Sequence, residues 1–313
     1  MPNLDQQIKS NSRRSKLLFI GFFVLYATIG IGLSLSAGGW PANNNFLLLA
    51  IFFVVAVIIV LITFTLGDNL TVMLAKAKKV ESRQEHPQLW DATETMALAS
   101  GQQMPHLYIS PDPAPNAFAA GRSAQQALIC VNQGLLDLLD KDELEAIIAH
   151  EMSHIRNMDV RLMTYAAVLA GGIVLISEAL LYMIWFSGGN RDSGLGFIGL
   201  AVMLISAILA PLAATMIQMS ISRRREFLAD ASAAQLTKYP AGLISALKQL
   251  EKSSIPASTG SKATAHMCFV APLFGKGKAS KLFSTHPPIE QRIAALESLG
   301  TGADHQRRLS GSA

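Results

Sequence analysis

The distribution of apolar and polar positions divides this chain into long uncharged stretches and charged segments between them. Residues 17–67 contain no charged side chain, and the Gly, Pro and Asn residues at 38–45 favour a turn within that run. About 20 apolar residues are enough to cross a bilayer as a helix. The pattern therefore predicts a membrane hairpin with spans at roughly 17–37 and 46–66.

A second pair of apolar stretches, at about 163–187 and 194–217, predicts a second hairpin. Glu178 is the only charged residue in the first of them, and Pro211 lies inside the second. A carboxylate is costly in lipid, so we interpret Glu178 as facing the helix bundle. Because this pair is less purely apolar than the first, two arrangements stay open: full crossing, or a hairpin packed above the membrane.

Basic residues set the predicted orientation of the spans. Outside the spans they cluster in three places: Lys9, Arg13, Arg14 and Lys16; Lys76, Lys78, Lys79 and Arg83; and Arg223, Arg224 and Arg225. The predicted outer loops carry almost none, so both termini and residues 68–160 are expected to face the cytoplasm. The first span could alternatively be a cleaved signal peptide, but its long apolar run favours a retained anchor.

Composition supports a membrane protein and excludes other classes. Half of the 313 residues are hydrophobic and only 15% are charged, whereas soluble domains carry about 25% charged residues. The net charge of +4 comes from residues beside the apolar stretches, which argues against nucleic-acid binding. Cys130 and Cys268 are far apart in sequence and belong to no C-x-x-C pair, so we interpret them as reduced thiols.

The segment between the two predicted hairpins has the pattern of a small folded domain. Helical apolar spacing after Pro87 predicts a helix over about 88–101. Three β-type runs separated by turn residues follow, and they predict a small antiparallel sheet, with strands near 107–110, 116–121 and 127–131.

A helix with a clear N-terminal signal follows the predicted sheet. Asp140 and Glu143 have the spacing of a capping box, and the helix is expected to end near Asn157. An apolar stripe is predicted on a different face from the two histidines of this helix, and consists of Leu144, Ile147, Ile148 and Met152.

The same helix contains His150, Glu151 and His154, an H-E-x-x-H motif. Positions i and i+4 share a helix face, so the two imidazoles can bind one zinc ion. The glutamate between them can act as general base toward a water molecule at the metal. The motif therefore indicates metal-assisted hydrolysis of a peptide bond.

A third zinc ligand has to come from elsewhere in the chain. The longer motif with Gly and His at the next positions is absent, since Asn157 and Val160 occupy them. Glu226 is the best candidate, and Asp230, on the same helix face, can orient a histidine ligand. The alternatives are His286 or His266 as the ligand, with Glu226 forming only a surface ion pair with a neighbouring arginine.

Four blocks in this order resemble the HtpX-type membrane zinc metalloproteases, which are relatives of the CAAX prenyl endoproteases. The blocks are 116–121 (NAFAAG), 150–154 (HEMSH), 226–230 (EFLAD) and 285–292 (THPPIEQR). The resemblance implies a mostly α integral membrane protein with four transmembrane helices. It also implies a cytoplasmic α+β, zincin-like (gluzincin) protease domain with a small antiparallel sheet.

The resemblance also implies roles for individual residues. One zinc ion per chain would be held by His150, His154 and Glu226, with Glu151 activating water. His286 and Arg292 would lie near the site and stabilise the oxyanion. An edge strand would pair with an extended protein substrate, through Asn116, Ala117 and Phe118.

The predicted organisation follows from these assignments. We expect a tail and hairpin (1–67), a first part of the protease domain (68–162), a second hairpin (163–217), a second part of the domain (218–299) and a disordered tail (300–313).

The predicted function is a zinc endopeptidase of a bacterial-type inner membrane. It would cleave misfolded or damaged membrane proteins from the cytoplasmic side for quality control under stress, and it would tend to cleave itself. The alternatives are a CAAX-processing-like protease and a non-proteolytic membrane scaffold stabilised by zinc.

Overall fold

The computed structural model of the chain describes most of the predicted protease domain and three of the four predicted spans. Its described residues are 4–36, 45–186, 223–253, 255–257, 267–269 and 287–310. The fourth predicted span, the loop at 188–193 and the candidate ligands His266 and His286 lie outside these described residues.

The elements are numbered in chain order within the described residues. The helices are α1 (Leu4–Ser36), α2 (Asn45–Leu74), α3 (Pro87–Ser100), α4 (Gln133–Leu138), α5 (Lys141–Arg156), α6 (Asp159–Phe186), α7 (Arg223–Thr237), α8 (Pro240–Lys252) and α9 (Ile289–Ser310). The strands are β1 (Lys78–Lys79), β2 (His106–Ser110), β3 (Ala117–Ala120) and β4 (Leu128–Asn132).

Helices α1, α2 and α6 pack against one another through an apolar cluster, whose members include Leu18, Phe22, Ala56, Ala166 and Leu169. Away from this contact, α1 and α2 expose large apolar side chains, among them Leu17, Phe53 and Leu61. Apolar surface of this extent is more compatible with lipid than with water.

One helical segment among the described residues, Phe53–Leu74, is long and apolar enough to cross a membrane, judged by length and composition alone. It overlaps the second predicted span. The prediction of four crossings is therefore supported at one of them and stays a prediction for the other three.

The four strands form one mixed sheet in the order β1-β2-β4-β3. Strands β1 and β2 are antiparallel, as are β3 and β4, but β2 and β4 run parallel. The expectation of an antiparallel sheet is therefore wrong for the central pair. Strand β4 lies between β2 and β3 and pairs antiparallel with β3; because β3 itself runs opposite to β2, β4 is parallel to β2. This order leaves β3 at the edge of the sheet, as predicted.

The end of β3 is attached to helix α6. The backbone N–H of Gly121 donates to Oγ1 of Thr164 at 3.1 Å. Gly121 has a φ of 145°, and a Cβ there would lie 2.8 Å from Cα of Ala127, so this position requires glycine. The edge strand is thereby held against one of the apolar helices.

Helix α5 is the central element of the polar domain. The predicted capping box is present: Asp140 Oδ1 accepts the N–H of Glu143 at 2.9 Å, and Glu143 Oε2 accepts the N–H of Asp140 at 3.0 Å. The four residues of the predicted apolar stripe are all fully buried in the core, and burial extends to every residue from Ala146 to Ile155. Helices α3, α7 and α8 and strand β3 all pack against α5, which buries it on all sides.

The last described helix is longer than expected. Helix α9 continues through Ser310, although the composition of residues 300–313 predicted a disordered tail.

The buried carboxylate of Glu143 joins α8 to the beginning of α5. Besides capping α5, it accepts the hydroxyl of Ser245 at 2.5 Å and the amide of Gln249 at 3.1 Å. Hydrogen bonds to a charged, buried acceptor each contribute about 1.5–3 kcal/mol to stability.

We therefore expect Glu143→Ala to destabilise the protein by about 2–4 kcal/mol, because two helices lose their shared acceptor. The matched control is Glu145→Ala on the same helix, whose weak pair with exposed Lys141 predicts a change below about 0.5 kcal/mol. Thermal unfolding of the detergent-solubilised protein measures both. Equal melting temperatures for the two variants would contradict the role of Glu143.

Candidate metal centre

Three potential metal ligands meet in a buried centre between α5 and α7. One nitrogen of His150, one of His154 and one carboxylate oxygen of Glu226 all lie within 4.8 Å of one another. The histidines project from one side of α5 because they are four residues apart. Glu226 lies in the first turn of α7, which packs along α5.

The distances within this group fit zinc. The Nε2 atoms of His150 and His154 are 3.1 Å apart. Carboxylate oxygens of Glu226 lie 3.8 Å from His150 Nε2 and 3.6 Å from His154 Nε2. Ligands about 2.0–2.1 Å from a tetrahedral zinc ion are about 3.3 Å from one another. The three side chains can therefore contact one zinc ion with small adjustments.

The surroundings of the His150 and His154 imidazoles also favour the binding of a cation. Nδ1 of His150 lies 2.9 Å from Asp230 Oδ1, although its N–H points away from the ideal hydrogen-bond line. Nδ1 of His154 lies 3.2 Å from Asp159 Oδ2. A carboxylate beside Nδ1 favours a proton on that nitrogen and a lone pair on Nε2. The two lone pairs then face each other and a carboxylate, an arrangement that a cation stabilises.

The pKa values of the histidines agree with this interpretation. Burial lowers the pKa of His150 to about 4, with Asp230 opposing the effect. Burial also lowers the pKa of His154, but the hydrogen bond to Asp159 and the charge of Glu226 outweigh it and raise the pKa to about 9. Without a metal, a proton on His154 therefore supplies the positive charge that this centre requires.

Asp230 and Arg292 support the ring of His150. The guanidinium of Arg292 donates two hydrogen bonds to the Asp230 carboxylate, at 2.8 and 2.7 Å. Burial raises the pKa of Asp230, but Arg292 outweighs it and holds that pKa well below its usual range. The predicted role of Asp230 in orienting a histidine ligand therefore has a geometric basis. Arg292 contacts Asp230, which in turn contacts His150.

Asp159 is a site residue that the sequence reasoning missed. It is the first residue of α6, is buried, and contacts the ring of His154. Met158, directly before it, has a φ of 57°, so the chain turns sharply between α5 and α6. That positive φ costs about 1 kcal/mol or more for a residue with a side chain. The one sequence feature that could have indicated Asp159 was the position of an acidic residue five places after His154.

Glu151 lies in the same centre, and its carboxylate is buried. Burial raises its pKa to about 7, the charge of Glu226 adds to the rise, and the backbone N–H of Ala119 and the charge of His154 oppose it. A divalent cation beside it would lower this pKa. The carboxyl group would then be ionised at neutral pH, which is the form that a general base requires.

Strand β3 contains Ala117 and Phe118 of the three predicted substrate-binding residues, Asn116 directly precedes it, and the strand lies next to α5. The backbone of Ala119 faces Glu151, so the outer edge of the strand faces the centre. The side chain of Phe118 points elsewhere, into a cluster with Val72, Met163 and Met267. Asn116 is buried, and its side-chain oxygen accepts the N–H of Ala117 at 3.0 Å.

Phe269 is a further neighbour that sequence reasoning did not identify. Its N–H donates to the carbonyl of Ala117 at 2.8 Å, and its ring lies 4.7 Å from that of His150. Arg292 stacks over the Phe269 ring at 4.3 Å and donates to its carbonyl at 3.1 Å. No local sequence pattern around residue 269 predicts this placement.

Comparison with known proteins identifies what this arrangement resembles. A family profile described as Peptidase family M48 matches residues 83–299. A curated Protease HtpX homolog from Streptococcus gordonii is 40% identical over 302 residues, which covers 95% of this chain and 100% of that protein. A Protease HtpX homolog from Dictyoglomus turgidum is 47% identical over 219 residues, 70% of this chain and 71% of that protein.

A solved structure is also similar in outline. The crystal structure of Ste24p from S. mikatae matches with a TM-score of 0.46 and 19% identity. The match covers 88% of this chain and 61% of that one.

The ligand assignment predicts the metal content of variants. We expect Glu226→Ala to lower bound zinc from about one ion per chain to well below one, because a three-ligand site loses its only carboxylate ligand. His106→Ala, which removes an exposed histidine, should leave the content unchanged. Elemental analysis after dialysis measures both. Full zinc content in Glu226→Ala would instead point to His286 or His266 as the third ligand.

Proposed function

The chain belongs to peptidase family M48 and is a membrane-associated metalloprotease, and we propose that it is a zinc endopeptidase that cleaves misfolded or damaged membrane proteins from the cytoplasmic side. The observation that carries this proposal is the buried convergence of His150, His154 and Glu226 directly beside Glu151.

The residues of the centre divide the chemistry between them. When bound, zinc supplies Lewis acidity that activates water and polarises the substrate carbonyl. Glu151 accepts the proton from the attacking water and passes it to the leaving amine. The N–H of Ala119 keeps the Glu151 carboxylate oriented through these transfers. Burial of the centre strengthens each of these electrostatic interactions.

Arg292 acts, in this proposal, mainly through the ligand that it supports. Three of its N–H groups are directed to Asp230 and to the Phe269 carbonyl. These contacts favour a positioning role for Arg292 over direct contact with the oxyanion. The oxyanion would then be stabilised by His286, which remains a prediction from the family resemblance.

Substrate binding is proposed to use the edge of β3. Edge strands pair with extended peptides through their backbone, and a peptide here would replace the Phe269 N–H that bonds the Ala117 carbonyl. Ala119, whose backbone faces Glu151, lies on the outer edge of the strand, so a peptide paired there would have its backbone close to the general base. The side chains of Ala117 and Ala119 pack into the core, so such pairing would use the backbone of the strand.

Substrates are proposed to reach the protease domain from the membrane, because apolar helices pack beside this domain. The exposed apolar faces of α1 and α2 suit lipid, and the basic residues of α1 suit a cytoplasmic location for its N-terminus. We propose four crossings, with the protease domain in the cytoplasm of a bacterial-type inner membrane. Membrane proteins with unfolded cytoplasmic segments would then be the natural substrates.

Replacement of the base separates catalysis from metal binding. Glu151→Gln should retain about one zinc ion per chain and lose about 10²–10⁴-fold in cleavage rate, because the amide cannot accept the proton. The measurement is zinc content together with cleavage of an unfolded membrane substrate. Glu145→Gln on the same helix is the control and should cleave normally. Normal cleavage by Glu151→Gln would show that this mechanism is wrong.

The second hairpin can be tested with topology reporters. If it crosses the membrane fully, alkaline phosphatase fused within 188–193 should be active and green fluorescent protein fused there should be dark. The same reporters fused at Glu85 should give the opposite result, because that position is predicted to be cytoplasmic. Cytoplasmic signals at both positions would mean that the hairpin packs above the membrane.

A further inference from the structure

We propose that the N-terminal segment ahead of the first predicted span is part of the support of the metal centre, with Asn11, Asp159 and Arg225 as positioning residues for His154. The inference rests on the proposed function, because it assigns a role in holding a zinc ligand. It adds a dependence of metal binding on a segment far from the motif in sequence.

Asp159 is the residue on which three donors converge. Its Oδ2 faces Nδ1 of His154 at 3.2 Å. Its Oδ1 accepts a hydrogen bond from Arg225 Nη1 at 3.0 Å and another from Asn11 Nδ2 at 2.8 Å. A carboxylate held from both sides cannot rotate away from the ring. The orientation and tautomer of His154 are therefore fixed by groups that do not contact the metal.

Asn11 contributes this contact from helix α1, 148 residues away in sequence. The same side-chain nitrogen lies 3.1 Å from the carbonyl oxygen of Asn157, at the C-terminus of α5. One amide thus joins the end of the ligand helix to the first residue of α6. Asn11 is buried, whereas Lys9 and Arg13 on the same helix are exposed. The side-chain amide of Asn11 therefore lies on the buried face of α1 and reaches the metal centre from there.

Arg225 extends the same group to the third ligand. It precedes Glu226 directly on α7, so its pair with Asp159 joins the beginning of α6 to the turn that carries Glu226. The Asp159 carboxylate therefore positions zinc ligands from both α5 and α7. Asn11 of α1 holds this carboxylate by a hydrogen bond. A displacement of α1 would loosen His154 and Glu226 together.

The alternative is that Asn11 only docks α1 and has no effect on the metal. The two interpretations differ in what they predict for folded protein. A docking contact lowers the melting temperature and leaves zinc affinity unchanged. A positioning contact changes zinc affinity at temperatures where every variant remains folded, because the ligand loses its fixed orientation.

The experiment uses full-length, detergent-solubilised protein and measures the zinc dissociation constant by competition with a chromophoric chelator. Asp159→Asn should raise that constant about 10- to 100-fold. Asn11→Asp should act similarly, because it places a second carboxylate where a donor lay 2.8 Å from Asp159. Asn69→Asp, at an exposed asparagine of α2, is the matched control and should stay within about twofold of wild type.

A double variant provides the test of direct contact. Combining Asn11→Asp with Asp159→Asn exchanges donor and acceptor, so it should bind zinc more tightly than Asn11→Asp alone. The absorption spectrum of the Co²⁺-substituted protein should change in the single variants, because it reports ligand geometry. If Asn11→Asp does not fold, Asn11→Ala decides, with an expected weakening of several-fold.

The outcomes separate this inference from the proposed function. Wild-type zinc affinity and Co²⁺ spectra in all folded Asn11 and Asp159 variants would overturn the inference, while the endopeptidase proposal would stand. Absence of zinc binding by the wild-type protein and by Asn69→Asp would overturn both. Weakened binding in the Asn11 and Asp159 variants alone, with cleavage by wild type, would support both.

Discussion

The structure depends on a buried meeting of metal-binding groups: two imidazole Nε2 atoms 3.1 Å apart, with carboxylate oxygens of Glu226 at 3.6 and 3.8 Å from them. Such a group is unfavourable in a protein interior unless a cation occupies its centre. The surrounding residues maintain this arrangement, since each ring is held through its other nitrogen by a carboxylate. The packing of four elements around α5 keeps water away from it. The domain is therefore organised to bind a metal.

The grouping of His150, His154 and Glu226 was expected from sequence because its two parts are local motifs, which the family resemblance joined. His150, Glu151 and His154 share two turns of one helix, and Glu226 and Asp230 repeat that spacing on another. The capping box likewise depends on two neighbouring residues. The contact of Asn11 with Asp159 joins residues 148 positions apart, and no periodicity encodes it. The mixed sheet was missed for a similar reason, because strand order depends on tertiary packing rather than on alternation.

The apolar helices contribute to the polar centre through specific hydrogen bonds. Helix α1 provides Asn11, and α6 begins with Asp159 and then binds the end of the edge strand through Thr164. The support of a zinc ligand and the anchor of the proposed substrate strand therefore lie on the same helix, less than two turns apart. Anything that shifts α6 relative to α5 alters both together, so the geometry of the centre is tied to the packing of these apolar helices.

The charges around the centre do not balance, and this has a consequence for assembly. Two guanidinium groups, of Arg225 and Arg292, face four carboxylates. The carboxylates are those of Glu151, Glu226, Asp159 and Asp230. The shortfall is two positive charges, which one divalent ion supplies. A chain that folds without metal has to take up protons in its place, and metal capture then releases them. Loading is therefore an exchange of protons for metal, and an acidic medium favours the metal-free protein.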